Sequence, residues 1–417
     1  MPAIDAEALT VNNQTSDYYF VAGELTIPIY QEGDIPYVVN GGAIKFDDNG
    51  DPVVQQESTI RFSLSVPKGG MPEDGWPLLV YSHGSGGSWT SVFNGVATWM
   101  ARNGIAATSI DAPHHGMRNP ISDDGDWESF CFYNALNPEA FKDNPVQAGI
   151  ELMAVQRLVT ELRVPQDLVP SSDASESPDG KVGFDLDATF FMGHSQGSTV
   201  APAIVPIDPF IRAAYFSGAG AGVLWTMLTK TEPFPVRPLL ALGLGLKPWE
   251  AHEQLDEFHP ALNIVAHLAE NVDGVSLNTY LVDREVPGAS PKHIFQSQGI
   301  TDLYVPIEVT GIFAASAGMD MITPVLNDDA IERIELAGGM LIDAETVTAN
   351  RLAWDGLPVT AILAQYPAPP SGRDGHFVTW EFPSLHRRIG CFFRTYLDLG
   401  TPILVDDDPD EFAACLD

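Results

Sequence analysis

Gly193-His194-Ser195-Gln196-Gly197 is the stretch whose residue types and spacing could do covalent chemistry. It follows Ala188–Met192, an apolar run that reads as a buried strand, and precedes Ser198–Val205, which can begin a helix. A serine at such a junction sits in a tight, strained turn, and glycine two residues either side keeps Cβ atoms out of the crowded backbone. Its hydroxyl is a weak nucleophile that needs a general base, usually histidine, oriented by a carboxylate. With the order nucleophile, acid, base, two later loops supply candidates. Asp302 follows the strand ending at Ser297 and precedes Pro306, which opens a helix; His376 lies in the Gly-rich loop Pro370–Phe377 after the last strand, Val359–Ala364. Asp374 is the alternative acid, two residues from His376 in the same loop. His194 is a poor base, because adjacent residues of a tight turn point apart.

A tetrahedral intermediate also needs preorganised N–H donors for its oxyanion. One candidate is the backbone N–H of Gln196, at the helix start; the other is Ser85, in the loop His83-Gly84-Ser85-Gly86-Gly87 after the apolar strand Leu78–Ser82, with Gly84 as the next choice. His83, His114 and His115 are loop residues near this site, and His83 and His114, with Trp225, are taken as substrate-lining candidates. A purely structural role for the histidines stays open. Nothing in the sequence calls for a cofactor or a metal. Asp47-Asp48-Asn49-Gly50-Asp51 is a strong hairpin turn; it places oxygen ligands at alternate positions, as calcium loops do, but lacks their distal glutamate.

The elements that must position these residues follow from the rest of the chain. Residues 1–60 are rich in β signals and read as an antiparallel extension. Residues 61–220 and 287–400 alternate strands with helices, including a long helix from Pro138 to about Leu162. Residues 221–286 break the alternation with apolar, helix-compatible pieces and are expected to form a helical cap over the strand ends; 319–357 read as a second insertion, Ile121–Asn137 as a loop, and 401–417 as an acidic surface tail.

Composition sets bounds on partners. The 417 residues include 21 basic and 56 acidic side chains, a net charge of −35. Such a surface repels nucleic acid and anionic membranes and repels itself, and salt screens that repulsion, so adaptation to saline surroundings is expected. No apolar run is long enough for a membrane-spanning helix. Three cysteines are too few for a disulfide scaffold; Cys391 and Cys415 either staple the tail or stay free buried thiols. The opening MPAIDAEALT has no signal-peptide pattern, which fits either a secreted, periplasmic or surface-exposed chain after removal of its signal or a cytoplasmic one.

Taken as a set, His83–Gly87, Asp111-Ala112-Pro113-His114-His115-Gly116, Gly193–Gly197, Gly299–Asp302 with Val305-Pro306, and Asp374-Gly375-His376 resemble the α/β-hydrolase superfamily over roughly residues 60–400. Phe130–Asn134 and Asp143–Gln147 are further similar to large bacterial secreted or surface lipases. The resemblance implies an α/β-hydrolase fold with a mostly parallel central sheet flanked by helices. It also implies a serine esterase or lipase with Ser195, His376 and Asp302 as its triad, acting on small-molecule or lipid-like esters. Polymeric esters, and amides by the same triad, stay open. The N-terminal β segment is not explained by the family pattern.

Overall fold

The computed structural model of the chain describes residues 4–121, 124–134 and 137–416. It divides into two compact units, Met1–Met192 with Asp208–Ala213 and Gly193–Ile207 with Ala214–Asp417. The chain carries a large mixed, mostly parallel sheet with flanking helices.

In the first unit the strands are β1 (Thr10–Gln14), β2 (Tyr18–Ile29), β3 (Gln56–Pro67), β4 (Trp76–Ser82), β5 (Ala106–Ile110) and most of β6 (Phe184–His194), in the order β1-β2-β3-β5-β4-β6. Strands β1 to β3 form an antiparallel meander, with Tyr18 opposite Pro67 and Ile29 opposite Gln56. Strand β3 is antiparallel to β5, and β5 is parallel to β4. The sequence shows why. Every residue of Trp76–Ser82 and Ala106–Ile110 is buried, as expected of strands covered on both faces, whereas β2 mixes buried and half-buried positions and exposes Glu24.

Strand β7 (Ile211–Ser217) begins in the first unit and ends in the second, which also holds β8 (His293–Gly299), β9 (Asp320–Ile322), β10 (Leu341–Ile342) and β11 (Ala361–Tyr366), in the order β7-β8-β11-β9-β10. Strands β8, β11, β9 and β10 are mutually parallel. Residues 319–357, expected as an insertion, therefore supply two sheet strands. Three and two residues are too short a run for an apolar pattern to announce them.

The helices of seven or more residues are α1 (Val96–Arg102), α2 (Gly125–Phe132), α3 (Pro138–Glu161), α4 (Gln196–Ile204), α5 (Val223–Thr229), α6 (Val236–Gly243), α7 (Pro260–Ala269), α8 (Ile307–Ser316), α9 (Asp329–Leu336) and α10 (Pro383–Leu399). Helix α2 replaces part of the loop expected over Ile121–Asn137, of which residues 122, 123, 135 and 136 lie outside the described residues. Asp124 starts it by accepting from the amides of Asp126 and Trp127. Asn137 caps α3 in the same way, with Pro138 at the first position.

The two asparagines of this region also fasten the N-terminal segment. Asn134 and Asn137 both donate to the Tyr37 carbonyl, at 2.8 and 2.9 Å, and Asp143 accepts from the Ile44 amide at 2.9 Å. Asn144 binds the Phe132 carbonyl at 2.9 Å and the Gln31 side chain at 2.8 Å. The polar residues of 130–147 thus hold residues 31–44 in place.

In the second unit, residues 223–265 fold around a small core of their own, made of Met227, Leu228, Ala241, Ala251, Leu255 and Leu262. The acidic tail, expected as a surface extension, is tied to α10. Cys391 and Cys415 form a disulfide, and Arg387 donates to the Asp406 side chain and to the Ala413 and Ala414 carbonyls. Among the described residues no helix is long and apolar enough to cross a membrane.

Candidate active site

Strand β6 ends at His194 and α4 begins at Gln196, so Ser195 alone makes the turn, at φ 53 and ψ −116. A non-glycine residue rarely occupies that region, and the surrounding backbone must hold it there. It does so from both sides. The Ser195 amide donates to the Ser217 carbonyl at 2.8 Å, and the Ser195 carbonyl accepts from the Ser198 and Thr199 amides. The Ser198 hydroxyl donates to the same Ser217 carbonyl at 3.1 Å. Glycine is needed at 193, where a Cβ would lie 2.8 Å from backbone atoms of Gly197 and Ser198. Gln196, the first residue of α4, is buried. First-turn amides of a helix point out of its N-terminus, toward negative charge.

Asp302 and His376 come from the loops after β8 and β11. Nδ1 of His376 lies 2.9 Å from Oδ2 of Asp302, and both side chains are buried. The second Asp302 oxygen accepts from the Val305 amide at 2.7 Å, which fixes the carboxylate plane. The two loops can cross because both carry glycine at the crossing. A Cβ on Gly299 would meet the Gly375 carbonyl oxygen at 2.1 Å, and one on Gly375 would meet the Asp302 amide at 2.7 Å. Asp374, the alternative acid, binds backbone instead: it accepts from the His376 amide at 2.8 Å and from the Leu303 amide at 3.3 Å.

The imidazole is boxed in. Tyr304 stacks on it, with ring centres 5.0 Å apart and planes inclined by 19°. The His194 ring lies 4.8 Å away and Phe377 meets it edge-on. Gly218 (φ 53) forms another wall; a Cβ there would be 2.6 Å from Cε1 of His376. Gly218 follows Ser217, whose carbonyl holds Ser195, so His376 packs against the strand end that anchors the serine. With Nδ1 directed at a carboxylate, Nε2 is the basic nitrogen.

His194 packs against the His376 ring, and its own Nδ1 is engaged elsewhere. Its Nδ1 meets the Ser217 hydroxyl at 3.0 Å, Ser217 meets Thr379 at 2.6 Å, Thr379 meets Tyr215 at 2.8 Å, and Tyr215 meets Ser297 at 2.7 Å. These five side chains are buried, and burial pushes the Tyr215 phenol well above its ordinary pKa.

Lys230, just past α5, approaches from another direction. Its Nζ donates to the Tyr304 carbonyl at 2.6 Å, and burial pushes its pKa down to about 8, against the opposing pull of Asp302, Glu232 and Asp374. Neither Lys230 nor Tyr304 carries a sequence signal that singles it out.

In the first unit, the loop after β4 is a turn closed by the Gly87 amide on the Gly84 carbonyl at 3.0 Å, with exposed Ser85 and Gly86 (φ 69) at its tip. His83 organises it. Nε2 accepts from the Ala112 amide at 3.0 Å, so Nδ1 carries the proton and donates to the Gly84 carbonyl at 2.8 Å. Asp111 braces the downstream end, accepting from the Trp89 amide at 3.0 Å and pairing with Arg61 at 2.8 Å. His83 and His114 are 1% and 2% exposed, as buried as His376. His83 is consumed by its own loop, and His114 packs edge-on against Tyr37, with its pKa pushed down to about 4 by burial. Trp225, the third lining candidate, stands partly exposed on α5.

No family model matches the chain, and no curated protein matches it. Solved structures do. A glucuronoyl esterase from Teredinibacter turnerae is 14% identical over 95% of this chain and 78% of its own, with a TM-score of 0.45. An acetyl xylan esterase from Paenibacillus sp. R4 is 15% identical over 76% of this chain and 78% of its own, with a TM-score of 0.43. A 2,6-dihydroxy-pseudo-oxynicotine hydrolase is 14% identical over 70% of this chain, with a TM-score of 0.37, and the chain spans 65% of its length. At this distance the likenesses carry no weight for activity. The chain's own features do bear on the fold: a mostly parallel sheet between helices, and a strained serine on the turn from a buried strand into a helix, with a buried carboxylate–imidazole pair on later loops. The fold is that of the α/β-hydrolases.

Proposed function

We propose that the chain hydrolyses carboxylic esters through an acyl-enzyme on Ser195. Nε2 of His376 takes the Ser195 proton as Oγ attacks the ester carbonyl, and Asp302 stabilises the imidazolium that forms. The imidazolium then protonates the leaving alcohol. Water, activated by the same nitrogen, releases the acid and regenerates the serine. The oxyanion is assigned to the N–H of Gln196. These steps use only the chain's own residues and water. The observation that carries the reading is the 2.9 Å contact of Asp302 with Nδ1 of His376, packed against the strand end that anchors a strained serine.

The reading takes 221–286 as a cap. Trp225, Leu239 and Trp249, exposed there, favour an apolar acyl chain. A small-molecule or lipid-like ester is the substrate class; the acidic surface speaks against polyanions. Ser195→Ala should remove turnover of a chromogenic ester and labelling by a fluorophosphonate while leaving the thermal transition intact. Undiminished turnover in that variant sinks the proposal. Comparing an ester with an anilide of the same acyl group tells esterase from amidase.

A further inference from the structure

The first helix of the cap segment is fastened to the acid loop at one place. The Lys230 ammonium donates to the Tyr304 carbonyl at 2.6 Å, and the amides of Thr231 and Glu232 donate to the Leu303 carbonyl at 3.3 and 3.1 Å. Leu303 and Tyr304 directly follow Asp302. The Tyr304 ring, in turn, lies parallel to the His376 imidazole, and the Lys230 nitrogen sits 5.6 Å from the centre of that same ring. One side chain thus connects a half-buried cation with the imidazole that the proposed reaction uses as its base.

We propose that Lys230 is a positioning residue for His376: its ammonium fixes the Leu303–Tyr304 backbone, and through it the Tyr304 ring that keeps the imidazole on Asp302. This rests on the reading of Ser195, Asp302 and His376 as a triad. A bond from an ammonium to a carbonyl is charge-assisted and about twice as strong as its neutral counterpart, so the hold depends on Lys230 keeping its proton. The charged groups facing Lys230 are Asp302 on the acid loop, Glu232 on its own segment and Asp374 on the loop that carries His376; all three favour the protonated form. Burial opposes them and brings Lys230 down to about 8. The hold therefore weakens as pH rises through that value. Arginine keeps its charge throughout this range, so Lys230→Arg separates charge from shape.

The test is the pH dependence of kcat and KM, from pH 6 to 10, for the full chain and for Lys230→Met, Lys230→Arg, Tyr304→Leu and Ser195→Ala on one chromogenic ester. Thermal melting serves as the fold control. In the unsubstituted chain kcat should fall above about pH 8, and in Lys230→Arg that fall should move up by at least about one pH unit. Lys230→Met should lower kcat at pH 7 by about 10-fold to 100-fold with KM little changed, and Tyr304→Leu should do the same. A kcat in Lys230→Met equal to that of the unsubstituted chain overturns the inference. So does a fall near pH 8 that persists unshifted in Lys230→Arg, or a rise in KM with kcat unchanged. If Lys230→Met does not fold, Lys230→Arg and Tyr304→Leu decide. Turnover by Ser195→Ala would mean that the triad reading has failed; an inactive Ser195→Ala beside indifferent Lys230 variants would mean that only this inference has.

Discussion

Replacing Gly218 by alanine is the sharpest single perturbation the site allows. The added Cβ would stand 2.6 Å from Cε1 and 2.8 Å from Nδ1 of His376. To restore an ordinary contact of about 3.4 Å, the imidazole has to retreat by about 0.8 Å. It cannot slide freely, because Tyr304 covers one face and the His194 ring lies 4.8 Å away. The retreat is taken up by the 2.9 Å bond to Asp302, which stretches beyond hydrogen-bond range. A misplacement of about 1 Å in a reacting group costs on the order of 100-fold in rate, or about 2.7 kcal/mol of transition-state stabilisation. The backbone, at φ 53, adds a stability cost of about 1 kcal/mol for an L-residue in the left-handed region. The assay is kcat and KM on a chromogenic ester, with thermal melting alongside. The expected result is a folded protein, slightly less stable, with kcat down about 100-fold and KM nearly unchanged. A kcat within about twofold of the parent would refute the placement of Gly218 against a working imidazole.

Other predictions follow from the same contacts. Asp302→Asn should lower kcat by about 1,000-fold or more. Asp374→Ala removes a backbone cap, so it should cost about 1 kcal/mol of stability and far less rate; equal rate losses would make the two carboxylates interchangeable. Burial holds His114 and His293 down to about 4, so the unfolded chain takes up their protons near pH 6.5 while the folded chain does not. Their stabilisation is complete above pH 6.5 and lost as pH falls toward 4, by about 2 kcal/mol per residue at pH 5; equal urea midpoints at pH 7 and pH 5 would contradict this. Opening the Cys391–Cys415 disulfide, which spans 24 residues, should cost about 3 kcal/mol, measured as a lower melting temperature in reductant or in the double serine variant.

The residues proposed to react were the legible part of the sequence. Ser195 announces itself because few contexts besides a strained strand-to-helix turn need glycine at both 193 and 197. Asp302 and His376 announce themselves by standing in loops just after apolar strands, in the expected order. What surrounds them was not legible. Lys230 and Tyr304 are 74 residues apart and meet only once the chain has folded. His83 and His114 look like exposed loop residues, yet each is buried by a partner distant in sequence, the Ala112 amide and the Tyr37 ring. Helix α2 was hidden because its apolar residues lack a clear helical spacing and its cap, Asp124, stands among other acidic residues. Strands β9 and β10 were hidden by brevity. The disulfide was one of two open readings, since nothing in the spacing of Cys391 and Cys415 says that the tail returns along α10.

The hydrogens of the buried hydroxyl chain that starts at His194 can be counted. From His194 to Ser297 there are four contacts, made through the hydroxyls of Ser217, Thr379, Tyr215 and Ser297. Each hydroxyl owns one hydrogen. If Nδ1 of His194 is bare, every one of the four hydrogens is committed and only one arrangement satisfies all contacts: Ser297 gives to Tyr215, Tyr215 to Thr379, Thr379 to Ser217, and Ser217 to the ring. If Nδ1 holds a proton, the file has one hydrogen to spare and its polarity is no longer dictated. A bare Nδ1 on the ring next to Ser195 thus dictates the orientation of a serine on another strand, four links away. Thr379→Val would cut that correspondence in the middle, leaving Ser217 and Tyr215 each short of a partner.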